Sequence, residues 1–211
     1  DGSDPLSFAC DMAVEAGAVV VVAAGNTGPG PGSIARPGSA KRVITVGAVT
    51  DTDDVADFSG RGPTDDGRVK PDLVVPGVSV IAARASGATP EDIINDFYYR
   101  EQGTSMAAPH VSGVAALMLA ANPNLTPDEI KSLMMQAAVK IPNAGENDQG
   151  AGRLVGARAV ELARQHGNPS PEPVGTNPQP NPQPSSGGGS PSGPNTEPEG
   201  CLTSLFRLIG G

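Results

Sequence analysis

Apolar positions follow two periods along this chain, and their order predicts a mixed α/β fold. Leu6 to Ala16 carries apolar residues at helical spacing and stops at Gly17. Ala18 to Ala24 follows as an unbroken run of Ala and Val. A strand that does not alternate is expected to be covered on both faces, as in a parallel sheet. Arg42 to Val49 and Leu73 to Ala83 read as further strands, the second broken at Pro76-Gly77. Gly25 to Gly38 and Ser86 to Gly103 read as irregular segments. The pattern then turns helical. Ser105 to Ala121 is almost wholly small or apolar, which predicts a buried helix stopped by Asn122-Pro123. Thr126, Pro127 and Glu129 supply an N-cap, a first-position proline and a capping-box acid for a helix to about Val139. A last helix is expected from Val155 to Gln165.

This periodicity ends at Gly167, where the composition changes. Residues 167–200 hold most of the second half's prolines, with Asn-Pro-Gln-Pro twice in tandem and Val174 as the sole aliphatic residue. Such a stretch cannot bury enough apolar surface to offset its ordering entropy, so a disordered linker is expected there. Residues 201–211 form a short apolar tail, with Leu202, Leu205, Phe206, Leu208 and Ile209 at roughly helical spacing. Docking on its own domain and docking on a partner or the cell envelope both fit that pattern. Residues 1–166 are left as one continuous α/β domain.

Charge and cysteine content narrow the function. A net charge of −9 removes the electrostatic basis for binding nucleic acid or an anionic membrane surface. Cys10 and Cys201 are too few and too far apart for a disulfide scaffold or a cysteine zinc site. No uninterrupted apolar run reaches the roughly 18 residues of a membrane span. The chain opens Asp1-Gly2-Ser3 with neither Met nor a leader pattern, so a natural N-terminus upstream is expected.

The segment most specific for chemistry is Gly103-Thr-Ser-Met-Ala-Ala-Pro-His-Val-Ser-Gly113. It places the Ser105 hydroxyl where an irregular segment enters a helix, so free N–H groups and the positive helix end face whatever sits above it. That suits an oxyanion. Ser105 or Thr104 serving only as a helix cap suits the spacing equally well. The glycine-rich loop at 25–32 lacks the Lys-Ser/Thr of a phosphate loop and is interrupted by Pro29 and Pro31, which argues against a nucleotide.

The eleven-residue segment resembles the nucleophile motif of the subtilisin-like serine proteases, the subtilases. The resemblance runs from about Leu6 to Gln165: Ala23-Ala-Gly-Asn26, Pro37-Gly38, Val43 to Ala48, Phe58 to Pro63 and Lys70 to Gly77 match further family segments in order. It implies a three-layer α/β sandwich around a mostly parallel sheet, here without its N-terminal part. It also implies Ser105 as nucleophile, with the Asn26 side chain and the Ser105 N–H donating to the oxyanion. Ala23, Ala24 and Gly25 would form one wall of the primary specificity pocket, and Pro37 and Gly38 its floor. Small side chains there leave room for a large apolar residue of a polypeptide substrate.

The family's order of the triad is Asp, His, Ser, and neither an Asp-Thr/Ser-Gly nor a His-Gly-Thr segment precedes Ser105. His110 lies five positions beyond Ser105, roughly 140° around a helix, and in the motif it packs behind the nucleophile. His166 matches no base position. Asp51, Asp53, Asp54 and Asp57 read as a solvated turn. The catalytic Asp and His are therefore expected from an N-terminal segment outside this sequence, and the chain alone is expected to be inactive. The alternative is a truncated, non-catalytic protein that binds peptides or regulates. No cofactor is expected for the chemistry, structural Ca²⁺ fits the resemblance, and a secreted or cell-envelope location is favoured over a cytoplasmic one.

Overall fold

In a computed structural model, whose described residues are 1–167, helix and strand follow one another as the periodicity implies. Helix α1 (Pro5–Glu15) is capped by Asp4, whose carboxylate accepts from the N–H groups of Leu6 and Ser7 and from the Ser7 hydroxyl. Strand β1 (Val21–Ala23) pairs parallel with β2 (Ile44–Val49), which pairs parallel with β3 (Leu73–Pro76). Both faces of the valine run meet packing partners, but the strand is shorter than the run and stays half-buried along its length, where full enclosure was expected. Val20 and Val22 pack towards Val14 of α1. Val19 and Val21 pack into the main core, with the helices that follow on the other side.

Those helices are α2 (Thr104–Ala121), α3 (Pro127–Ala137) and α5 (Gly156–Gln165), with a single-turn α4 (Glu146–Gln149) before the last. Ala107, Val111, Ala115 and Met118 give α2 its buried stripe against Val46, Leu73 and Val75 of the sheet. The capping box of α3 forms as expected: Thr126 accepts from Glu129 N–H while the Glu129 carboxylate accepts from Thr126. His166, at the end of α5, lies 3.1 Å from the same carboxylate and ties the end of α5 to the start of α3.

Three expectations need correction. Leu73 to Ala83 is not one interrupted strand: β4 (Val80–Ala83) leaves the parallel sheet and joins an antiparallel one, in the order β4-β6-β5. Its partners, β5 (Asp92–Ile93) and β6 (Tyr98–Glu101), lie inside the segment expected to be irregular. The segment Asp92 to Glu101 mixes charged and aromatic residues without a clean period, so pairing with β4 decides its conformation. Nor is α2 buried on all sides. Ser105, Pro109, Gly113, Ala116 and Leu117 are exposed, Leu117 by 59 %, because the sheet and α5 cover only one side of the helix. It is also the one helix among the described residues long and apolar enough to cross a membrane by length and composition. That property goes with a small-residue helix packed on a sheet. The linker and tail expected beyond Gly167 lie outside the described residues.

On the free side of β1, among the described residues, no strand pairs with it. Beside it lies a depression of about 340 Å³ lined by Val19, Val21, Ala115, Ala116 and Leu119.

The capping box has a pH signature. Hydrogen bonds from the Thr126 backbone and hydroxyl, with His166 adding to them, hold the Glu129 carboxyl at about 2 instead of the usual 4.5. The folded form therefore binds fewer protons than the unfolded chain between these values. The stabilisation is complete above pH 4.5 and is lost as the pH falls towards 2. Glu129→Gln is thus expected to lower the urea midpoint at neutral pH, and this difference should shrink steadily as acid is added.

Candidate active site

Three stretches far apart in sequence meet at the first turn of α2. The first is the end of β1, where Ala24 N–H bonds to the Val46 carbonyl and the chain turns at Gly25, φ +101°. A side chain at Gly25 would strike the Ala35 Cβ at 2.5 Å, so the loop closes only on glycine. The second is Gly77, at the end of the Lys70 to Gly77 segment, whose carbonyl accepts from Gly103 N–H at 2.8 Å. The third is Gly103 itself, the N-cap of α2, with φ +150° and no side chain with which to cap the helix.

Capping of another kind fixes Asn26. Its Oδ1 accepts from Thr104 N–H at 3.0 Å and from the Thr104 hydroxyl at 2.9 Å. The same hydroxyl oxygen accepts from Gly25 N–H at 3.1 Å. Because Oδ1 is occupied twice, the carboxamide turns its Nδ2 away from Thr104. Among the described residues this Nδ2 has no acceptor, and neither has Ser105 N–H in the first helical turn. The Ser105 side chain is exposed and likewise makes no hydrogen bond to a described residue. A free hydroxyl thus lies at a helix N-terminus, with Asn26 held against that same turn.

Beyond Ser105 lies an apolar depression of about 420 Å³, walled by Val80, Ala82, Tyr99, Met106 and Pro109. The antiparallel sheet supplies the wall because Val80, Ala82 and Tyr99 share one face of it in the β4-β6 register. Pro109 has no N–H, so the Ser105 carbonyl loses its helical partner.

On the other flank, the stretches 23–25 and 35–38 interlock. Ala35 N–H bonds to the Ala24 carbonyl, and Gly38 N–H to the Ala35 carbonyl. A Cβ on Gly38 would meet the Ala35 and Ala23 carbonyl oxygens at 2.7 and 3.1 Å. Ala23, Ala24, Gly25, Pro37 and Gly38 are thereby brought together, with Ala35 between them. Ala35 was not singled out from the sequence, because its part depends on a contact between two loops.

Neither histidine reaches Ser105 as a hydrogen-bond partner. His110 is exposed and lines the same depression as Ser105 instead of packing behind it. Its Nδ1 is 2.9 Å from the Met106 carbonyl of its own helix. His166 is engaged with Glu129. Asp51, Asp53 and Asp54 occupy an exposed turn, as expected, and Asp53 pairs with Arg153 at 2.9 Å. Thr104 is the site residue that the sequence did not mark for this part. Its position next to Ser105 is the one signal for it, and that signal reads first as a helix cap.

A family model described as the subtilase family matches residues 1–157. The serine protease AprX of Bacillus subtilis is 43 % identical over 169 residues, which cover 74 % of this chain and 38 % of AprX. Pyrolysin of Pyrococcus furiosus is 33 % identical over 203 residues, covering 78 % of this chain and 14 % of that protein. Among solved structures, a protease of Pseudoalteromonas arctica superposes with TM-score 0.62 at 34 % identity, over 74 % of this chain and 46 % of its own. The self-cleaved protease domain of PatA gives 0.61 at 29 % identity, over 78 % and 58 %. The chain therefore spans 14–58 % of these proteins and solved chains, less than two thirds of each.

The Asn26 clamp can be tested by stability alone. Thr104→Val keeps the shape but leaves Gly25 N–H without its partner and the Asn26 Oδ1 with one donor fewer. A loss of about 1–3 kcal/mol is expected in urea unfolding, whereas Thr104→Ser, which keeps the hydroxyl, should lose less than half of that.

Proposed function

The chain belongs to the subtilase family, and from that premise we propose that it is the nucleophile-bearing, C-terminal portion of a serine endopeptidase domain, residues 1–166. Ser105 Oγ gives up its proton to the general base and attacks the carbonyl carbon of the scissile peptide bond; the C–N bond then breaks, the amine leaves with that proton, and water hydrolyses the resulting acyl-enzyme. Asn26 Nδ2 and Ser105 N–H donate to the oxygen that becomes negative in the tetrahedral intermediate. The observation that carries this reading is the double occupation of Asn26 Oδ1 by Thr104, which leaves the amide end free beside the nucleophile. Donors fixed in advance need no reorganisation when charge appears.

The general base and its aspartate come from a segment outside these residues. That segment completes the three-layer sandwich by pairing with the free side of β1 and covering the exposed face of α2. The apolar depression beside Ser105 is open to the same segment. Polypeptides are the substrates, and the Ala23–Gly25 wall with the Pro37-Gly38 floor takes a large apolar side chain. The chemistry needs no cofactor. Among the described residues no three His, Cys, Asp or Glu side chains cluster to hold a metal ion, so structural Ca²⁺ in this part of the domain would rest mainly on carbonyl oxygens. A secreted or cell-envelope location goes with this reading.

The engagement of both histidines elsewhere favours a second reading, in which the chain binds peptides or regulates without cutting them. Fluorophosphonate labelling of an extract from the native source separates the two. Labelling of the peptide containing Ser105, on a protein clearly longer than 211 residues, supports the protease. An unlabelled protein of about this length supports the binder. In the completed enzyme, Asn26→Ala should lower kcat by about 10²–10³ with KM little changed, a magnitude that comes from another member of the family. The 211-residue chain alone should show no acylation burst with peptide esters beyond that of Ser105→Ala.

A further inference from the structure

The antiparallel sheet carries a second, polar cavity. About 260 Å³ in volume, it is lined by Ser79, Glu91, Asp92, Arg100, Glu101 and Gln102. Two of its charges cancel, because Arg100 and Asp92 lie opposite each other in the β5-β6 register and pair at 3.0 Å. Among the described residues Glu101 has no such partner. One of its oxygens accepts from Gln102 N–H at 3.0 Å, and the other meets no donor. Glu101 is nevertheless half-buried, whereas Glu91 at the rim is exposed. A carboxylate partly withdrawn from water and left without a cation gains from any ammonium or guanidinium that enters beside it.

Strand register turns this residue towards the nucleophile. Glu101 stands opposite Val80 and two positions from Tyr99, so it shares the sheet face whose Val80, Ala82 and Tyr99 wall the depression at Ser105. Gln102 and Glu101 precede Ser105 by three and four positions, which holds their Cα atoms within about 11 and 15 Å of its own. A bound substrate strand advances about 3.3 Å per residue. Its acyl side is taken up by the wall at Ala23, Ala24 and Gly25, so its leaving-group side runs along the opposite flank, where the antiparallel sheet stands. The second to fourth residues after the cleaved bond therefore come within reach of Glu101.

We propose that Glu101 is a specificity-determining residue that selects lysine or arginine on the leaving-group side of the scissile bond, two to four residues beyond it. The inference rests on the protease reading and narrows its substrates to polypeptides with a basic residue shortly after the cut. Lysine and arginine suit the surface as well as the charge, since a long aliphatic stem can lie along Val80 and Tyr99 while its head reaches the carboxylate. An acidic side chain finds no free cation there, because Arg100 is already balanced by Asp92.

The test uses the completed enzyme and internally quenched peptides that differ only in carrying lysine, norleucine or glutamate at the second, third or fourth position after the bond. Norleucine keeps the lysine stem and drops its charge. At one of these positions lysine should exceed norleucine in kcat/KM by about 3–10-fold, with glutamate lowest, and the ratio should fall as salt is raised. Glu101→Gln should abolish the lysine preference, and Glu101→Lys should turn it towards glutamate. Each ratio is measured within one protein, so a smaller folded fraction does not imitate the effect, and a reversed preference is a gain that misfolding cannot produce. Equal rates for lysine and norleucine in the parent, or a lysine preference that survives Glu101→Gln, would overturn the proposal. Fluorophosphonate labelling of the same preparation keeps the two readings apart: labelling of Ser105 without a lysine preference removes the role of Glu101 alone, and absence of labelling removes the protease reading and this inference with it.

Discussion

The whole arrangement turns on the closure of one backbone junction, where the end of β1 and the start of α2 are brought together across Gly25, Gly77 and Gly103. Each of the three lies where a Cβ would meet a neighbour: Ala35 Cβ at 2.5 Å, Ala48 Cβ at 2.7 Å and Asn26 Nδ2 at 3.2 Å respectively. With the backbones this close, Asn26 and Thr104 come within hydrogen-bond distance, and two bonds to Oδ1 select one face of the carboxamide. Had the amide been free to flip, its oxygen would point towards Ser105 as often as its nitrogen, and an acceptor would replace the free donor there. The rest of the sheet and the helices hold the two ends of this junction in place.

Two supports do the holding. Parallel strands covered by α1 on one side and by α2, α3 and α5 on the other form an apolar core in which β2 is buried along its whole length. Beneath it the Lys70, Asp72 and Lys131 group ties β2, the start of β3 and α3 together through charge. Such a group is costly to break from one side, because the partner left behind remains charged and buried. It also reaches Gly38 through Thr45, so the support of the fold and the expected floor of the substrate pocket share one hydrogen-bond chain.

What lies open is equally informative. The free side of β1, the exposed face of α2 and the depression beside Ser105 are apolar and lie along α2. Apolar surface of this kind is costly to leave in water, and the outward residues Leu6, Phe8 and Met12 of α1 extend it to the other side of the sheet. The distribution agrees with a chain that spans 46–58 % of the solved protease structures it resembles.

Local chemistry makes much of this protein legible in its sequence. The valine run predicts a strand covered twice, the Thr126 to Glu129 box forms as its residue types require, and the glycine-flanked Thr104-Ser105 pair sits at a helix start. These features depend on residues within a turn or two of one another, so the sequence carries them directly. The antiparallel sheet between Gly77 and Gly103, the bare face of α2, the clamp of Thr104 on Asn26 and the enclosure of Lys70 depend instead on partners 15 to 88 positions away: β4 meets β6, Thr104 meets Asn26, and Val43 meets Lys131. Along the chain a threonine before a helix reads as a cap, and a lysine reads as surface. Only the tertiary structure, by removing water and bringing distant oxygens within 3 Å, turns the first into the group that aims an amide and the second into an internal cation.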